Sequence, residues 1–411
     1  MKREGGSDLF PLPPSMDHAI LDQLERRRAS VIGFLASLVR AESVNPPGDT
    51  RKVTDLIAAR LRGASIDFQV LGDEPRKPNL IARLGAGRPE LLFTSHMDTV
   101  PVGNARAWRY PPLSAEIVGT RLHGRGSADA KASLAGMVAA MEALAQVLPL
   151  RGTLTLTAVS DEEVGGIKGT EYLVDRGLLQ PDEVVVGEIT DNRLATAEKG
   201  VLWMRVVTHG RAAHGSTPWE GSNAISTMLR VLRAIEDRVG DRLRTLSHPL
   251  TPPPSLSIGT IRGGVATNVV PDWCEATLDR RTLPNESITE AIGEVERIIA
   301  ELKRDDPELQ ADVEILQSGP PIETAVETPL VRTAQSVARE LALPPEPVGY
   351  QQASDGRFFA ERGVPTILFG PGDPALAHTP HESVDVNEVI TAAKFYALLA
   401  FRLLTESDRR R

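Results

Sequence analysis

Seven side chains able to bind a metal or move a proton stand where apolar runs give way to polar bends: His96, Asp98, Asp129, Glu162, Glu163, Glu188 and His378. His96 and Asp98 close the run Leu91-Leu92-Phe93-Thr94-Ser95, and Pro101 ends any continuation. Residues two apart on an extended chain point the same way, so Asp98 can stand behind His96, set its tautomer and turn the other ring nitrogen toward a metal. Asp129 follows the bend Gly124-Arg125-Gly126 at a helix entrance, where an N-cap is the plain alternative. Asp161, Glu162 and Glu163 follow a strand, and adjacent acids there repel one another unless a cation sits among them; a solvated loop is the bland reading. Together these residues suit a two-metal hydrolytic site. Such a site needs a carboxylate shared between the ions, His plus carboxylate on each side, and a further carboxylate to take a proton from water.

Composition narrows the partners. A chain of 411 residues exceeds one ordinary core and implies two domains. Its 41% hydrophobic and 25% charged residues are those of a soluble globular protein. The formal net charge of −9, with no long Lys/Arg block, argues against nucleic acid or anionic membrane as the main partner. The short runs Arg26 to Arg28 and Arg409 to Arg411 read as solvated. The single cysteine, Cys274, excludes an intramolecular disulfide and a Cys-based zinc cage, so a metal must use N and O ligands. Met1 to Ser15 lacks the apolar segment of a secretion signal, and no run approaches the length of a membrane span, which points to a cytoplasmic protein with a frayed leader.

The elements that must position the seven residues alternate. Apolar spacing predicts a helix over His18 to Val39 and a second over Thr50 to Gly63, then strands at Asp67 to Leu71, Asn79 to Leu84 and from Leu91. Leu134, Met137, Val138, Met141, Ala145 and Leu148 predict an amphipathic helix after Asp129. Strands at Arg151 to Val159 and Val184 to Val186 end at Ser160 and at Gly187-Glu188, and a final strand, Pro365 to Phe369, precedes His378. Helices alternating with apolar strands mean an α/β sheet covered on both faces, whose ligand crevice lies at the carboxyl ends of the strands. Between them the order strand, helix, strand, strand, helix, strand over Leu202 to Gln317 is the ferredoxin-like βαββαβ unit. The expected organisation is a first domain in two parts, 1–198 and 318–411, with a second domain, 199–317, inserted.

In order along the chain, the motifs SHMDTVP, GRGSADAK, SDEEVGG, Gly187-Glu188, GRAAHGSTPWEGSNAI, GGVATNVVPD and AHTPHES resemble the M20 metallopeptidases, which include acetylornithine deacetylases, succinyl-diaminopimelate desuccinylases, aminoacylases and glutamate-type carboxypeptidases. The resemblance implies a di-metal hydrolase domain with a mixed central sheet. It implies one metal held by His96 and Glu188, the other by Glu163 and His378, with Asp129 bridging, Asp98 orienting His96 and Glu162 as general base. The two divalent ions would be zinc, with cobalt or manganese also compatible. The inserted domain would be a lid and the contact of a homodimer, its His214 stabilising the oxyanion and its Asn268 and Arg281 contacting substrate; a surface ion pair is the alternative for Arg281. The implied reaction is attack of metal-activated hydroxide on the amide of an N-acyl amino acid, or, as the alternative, a carboxypeptidase or dipeptidase cleavage of short peptides. Asp129-Ala130-Lys131-Ala132 departs from the family's Asp-Met-Lys-Gly, and His381 stands where an acid or amide is usual. The motif register favours His378 over His381 as the ligand. His18, His123, His209 and His248 read as structural or surface residues.

Overall fold

The structure, a computed structural model, describes residues 16–146 and 150–405; the expected leader, Leu148 and Arg409 to Arg411 lie outside the described residues. Its centre is a nine-stranded mixed sheet. Four parallel strands lie side by side in it: Thr153–Val159, Glu90–His96, Glu183–Gly187 and Thr366–Phe369. Antiparallel strands flank them, Phe68–Leu71 and Asn79–Gly85 on one side and Ala195–Glu198 and Ile322–Glu323 on the other. Every residue of Thr153–Val159, Glu183–Gly187 and Thr366–Phe369 is buried, which is why these strands read as near-continuous apolar or Thr-rich runs without alternation.

The sheet is covered unequally. One face carries the larger core, in which Leu91 and Phe93 meet the helices Arg28–Arg40, Arg51–Gly63, Lys131–Leu144 and Val386–Thr405. The other face, with Leu92, Val184, Val186 and Leu368, is covered by Leu173, Val174, Leu179 and Phe359 from short helices and loops. The helix Lys131–Leu144, expected to be amphipathic, is buried on all sides, because Val386–Thr405, Arg28–Arg40 and Met16–Arg26 pack over it from outside. The helix expected from His18 to Val39 is two helices, Met16–Arg26 and Arg28–Arg40. Arg27 leaves helical geometry between them, and its guanidinium meets the buried Glu142 at 2.9 Å, so this residue is not solvated as expected. The hydrophobic period runs through such a junction without marking it.

A second, four-stranded antiparallel sheet is built from Gly200–His209, Ser255–Gly263, Trp273–Thr282 and Gln310–Gly319. With the helices Ala224–Leu243 and Ile288–Asp305 it has its own core of Leu202, Met204, Val206, Val231, Ile235, Leu278, Val295 and Ile298. Here burial alternates along Gly200–His209 and Trp273–Thr282, as for strands with one face on a core. The chain enters this unit at Gly200 and leaves it at Gly319, which is paired with Val201. A third, small sheet ties Ser383–Asp385 to Arg121–His123. No helix among the described residues is long and apolar enough to cross a membrane.

The fully buried Lys131 fixes the site helix to its neighbour. Its Nζ donates to Leu38 O and Ala41 O, both at 2.9 Å, where Arg28–Arg40 runs out of intrahelical partners. Lys131→Met strips both carbonyls of their donor. We expect it to cost about 1–3 kcal/mol in urea unfolding, the price of buried acceptors left unpaired; an unchanged midpoint would show that water replaces the ammonium.

Candidate metal centre

All four parallel strands hand over to ligand-bearing loops at their carboxyl ends. Thr153–Val159 leads to Glu162 and Glu163, Glu90–His96 ends in His96 itself, Glu183–Gly187 leads to Glu188, and Thr366–Phe369 leads to His378. Asp129 comes down onto them from the start of Lys131–Leu144. Two groups result, His96 with Asp129 and Glu188, and Asp129 with Glu163 and His378, each with its ligand atoms within 4.8 Å of one another. Asp129 belongs to both: Oδ1 lies 3.3 Å from His96 Nε2, and Oδ2 lies 3.3 Å from His378 Nε2. Glu163 Oε2 lies 3.2 Å from the same His378 nitrogen. His96 is 2% exposed and His378 54%, so the site opens to solvent on the His378 side.

The surroundings set the protonation of these groups. His96 Nδ1 lies 3.0 Å from Asp98 O, so that nitrogen donates to the backbone and Nε2 is the one turned toward the cluster. The carboxylate of Asp98 does something other than the expected orientation of His96, from which it is 3.8 Å away. It accepts from Asn45 Nδ2 at 2.8 Å and from the backbone N–H groups of Glu162 and Glu163 at 3.2 and 3.3 Å. The strand stops at His96, so the same-face rule that paired the two side chains does not extend to residue 98.

Burial pushes Glu162 well above the ordinary carboxylate range, with Glu188, Asp355 and Glu163 adding to it and His96 opposing. Burial likewise raises Glu188 and Glu163. For His96 burial works against charge, yet Asp129, Glu162, Glu188 and Glu163 together hold its pKa well above the usual value. Hydrogen bonds with Asp129 and Glu163 raise His378 to about 10. Four carboxylates drawn out of water beside two imidazoles are the environment of a cation site. Two divalent ions fit the donor set: all its atoms are N or O, the two oxygens of Asp129 face separate histidines, and its three acids would offset most of the ionic charge.

The sequence profile of peptidase family M20/M25/M40 matches residues 92–402. The chain belongs to the M20 peptidase family. It is 30% identical over 378 residues to an acetylornithine deacetylase of Myxococcus xanthus, a match that spans 90% of this chain and 95% of that one. Among solved structures it resembles a tripeptidase from Staphylococcus aureus at 22% identity and TM-score 0.73, over 92% of this chain and 98% of that one. It also resembles a dinuclear metal-binding M20 peptidase from Bacillus subtilis at 16% identity and TM-score 0.70, over 92% and 99% of the two chains. This M20 hydrolase therefore shares the fold of those peptidases and carries residues able to hold metal ions.

Other expected residues lie elsewhere. In the inserted unit of the M20 hydrolase, His214 is exposed and its Nδ1 lies 2.7 Å from Ser216 Oγ; Gly215 N donates to Asn268 O, so His214 and Asn268 are neighbours. Arg281 spends its fork on Asp279, at 2.8 and 3.2 Å, the ion-pair alternative. His381 is exposed and belongs to neither ligand group. His209 and His248 face Asp312 and Glu323, and His123 packs on Tyr110.

Three supports had gone unassigned. Glu382 Oε1 accepts from the N–H groups of Ala128 and Asp129 at 3.1 and 3.2 Å, while Oε2 pairs with the buried Arg125. Tyr350 donates its hydroxyl to Glu188 Oε2 at 3.2 Å. Asp161 pairs with Lys77 and accepts from Lys168 N at 3.1 Å, which shapes the turn leading to Glu162. Arg125 and Glu382 both stand inside the quoted motifs, a signal that could have marked them; Tyr350 stands in no motif.

The protons on this cluster make metal uptake depend on pH. An ion must displace the proton that Asp129 and Glu163 hold on His378, so apparent affinity should rise with pH until His378 deprotonates unaided, near 10. Zinc competition against a chelating dye at pH 6, 7 and 8 reads this directly, with tighter binding expected at each step. His378→Ala should lower metal content and flatten that profile, and His381→Ala should change neither. The reverse pattern in the two variants would move the ligand to His381.

Proposed function

We infer that this chain hydrolyses the amide bond of an N-acyl amino acid. The reading is carried by one juxtaposition: Glu162, whose carboxyl burial pushes well above the ordinary carboxylate range, stands beside a paired ligand set split by Asp129. His96, Glu188 and Asp129 would hold one ion, and Asp129, Glu163 and His378 the other. Zinc is proposed for both, cobalt and manganese suiting the same donors. Bound there, the ions would polarise the scissile carbonyl and lower the pKa of a water molecule toward neutrality. Glu162 accepts a proton from the attacking water and returns it to the leaving amine. Asp98 holds the backbone of Glu162 and Glu163 so that one faces the reaction and the other the ligand set. Tyr350 orients Glu188, and Glu382 orients Asp129.

The inserted unit at 199–317 would act as the lid and as the contact of a cytoplasmic homodimer. Its His214 would donate to the oxyanion and its Asn268 would touch substrate. Arg281 could serve a substrate carboxylate only by exchanging Asp279 for it. The similarity to an acetylornithine deacetylase over most of both chains supports the acyl-amino-acid substrate. A second reading, cleavage of short peptides, is supported by the fold shared with a tripeptidase.

Two measurements separate these readings. Amine release by the metal-loaded protein should be seen with one class among N-acetyl, N-succinyl and N-formyl amino acids and should vanish with chelator. Release from dipeptides or tripeptides alone would establish the peptidase, and silence in a sample holding both ions would overturn both. Glu162→Gln should keep both metals and lower kcat by about 10²–10⁴-fold. Loss of metal in that variant would make Glu162 a ligand instead.

A further inference from the structure

The turn Ser354-Asp355-Gly356-Arg357 belongs to neither ligand group, yet Arg357 is 4% exposed and Asp355 2%. Arg357 Nη1 donates to Ser354 O at 2.8 Å, and Nη2 donates to Gly165 O at 2.9 Å. Gly165 closes the turn Glu162–Val164, so the guanidinium grips from behind the segment whose front Asp98 holds. Asp355 adds a second grip. Its Oδ2 accepts from Thr170 Oγ1 at 2.7 Å, and its Oδ1 would lie 2.5 Å from a Cβ on Gly166, too close for any side chain there.

The same short turn also meets both crossings between the two sheets. Glu198, just before the chain enters the inserted unit, accepts from Ser354 N and Oγ at 2.8 and 2.6 Å. At the exit, a Cβ on Gly319 would collide with Cδ of Arg357, so only glycine lets the stem pass. Gln317 from the same strand packs against Gly165. A cavity of about 360 Å³ lies among these segments, lined by Val164, Ile167, Leu316, Gln317, Arg357 and Phe358.

We propose that Arg357 is a positioning residue that couples the hinge of the inserted unit to the turn carrying Glu162 and Glu163. The coupling rests on the reading of Glu162 as general base. Hinge angle is absorbed by a few element-terminal residues, here Gly200 and Gly319, and Arg357 packs against Gly319. Its planar fork spans two carbonyls at fixed spacing, so a shift of its stem moves Gly165 and with it the base. A lysine at this position has a point charge and no fork.

The test uses the metal-loaded full chain. Arg357→Ala should keep both metals and lower kcat by about 10- to 100-fold with KM nearly unchanged, the cost of a base misplaced by a remote change. Hydrogen–deuterium exchange should quicken at 161–168 and at 316–319. Millimolar guanidinium, entering the enlarged cavity, should restore part of kcat; Arg357→Lys should remain impaired. Gly319→Ala, which keeps Arg357 but displaces its stem, should reproduce the kcat loss and the faster exchange, and it carries the test if Arg357→Ala does not fold. Unchanged kcat and exchange would overturn the proposal, as would an activity loss explained by lost metal. If the wild-type protein turns over no amide, the functional reading fails by itself, and exchange at the two segments still decides the coupling: quickening upholds it and its absence overturns it.

Discussion

Gathering Asp129, Glu162, Glu163 and Glu188 in one place out of water is the constraint to which the rest of this molecule answers. Carboxylates so placed repel one another and lose hydration; burial raises the proton affinities of Glu162, Glu163 and Glu188, whereas for Asp129 the hydrogen bonds with His378 and His96 outweigh burial and lower it. Four adjacent parallel strands solve the placement, since their carboxyl ends open on one crevice and each can hand over one loop. Histidines supply neutral nitrogen donors, and a divalent pair would supply the charge. Around this centre two other buried carboxylates are paired with cations, Glu382 with Arg125 and Asp161 with Lys77, whereas Asp129 and Glu163 of the ligand set meet the imidazoles of His96 and His378.

Orientation within the cluster is done mostly by backbone groups. A carbonyl, that of Asp98, sets the tautomer of His96, and N–H groups of Ala128, Asp129, Glu162 and Glu163 are held by carboxylates that bind no metal. A loop fixed through its main chain cannot trade one side chain for its neighbour, which matters where Glu162 and Glu163 are adjacent and only Glu163 belongs to a ligand group. The left-handed conformations of Asp161, Gly165 and Gly166 make the turn sharp enough to present both.

The two sheets obey different burial rules, and this difference sets the architecture. Strands covered on both faces form the rigid floor of the site. Strands with one open face form the inserted unit, whose chain crosses to the floor at Gly200 and Gly319 and which also meets it through His248 and Glu323. Function on such a plan depends on how faithfully the junction transmits position, and Arg357 and Glu198 stand at that junction.

Ligand types, their order along the chain and the strand ends that carry them were legible in the sequence, because apolar runs and the polar residues that stop them are local features. So was the βαββαβ order of the inserted unit, since half-buried strands alternate visibly. The break at Arg27 was not, because a helix junction preserves hydrophobic period. Neither was the all-round burial of Lys131–Leu144, which depends on Met16–Arg26, Arg28–Arg40 and Val386–Thr405, all distant in sequence, packing over it. Only the tertiary structure assigned the carboxylate of Asp98 to a backbone turn, Tyr350 to Glu188 and Arg357 to Gly165, for these are meetings of distant segments at 3 Å scale. Local sequence determines what each segment can offer; which offers are taken up is decided by packing.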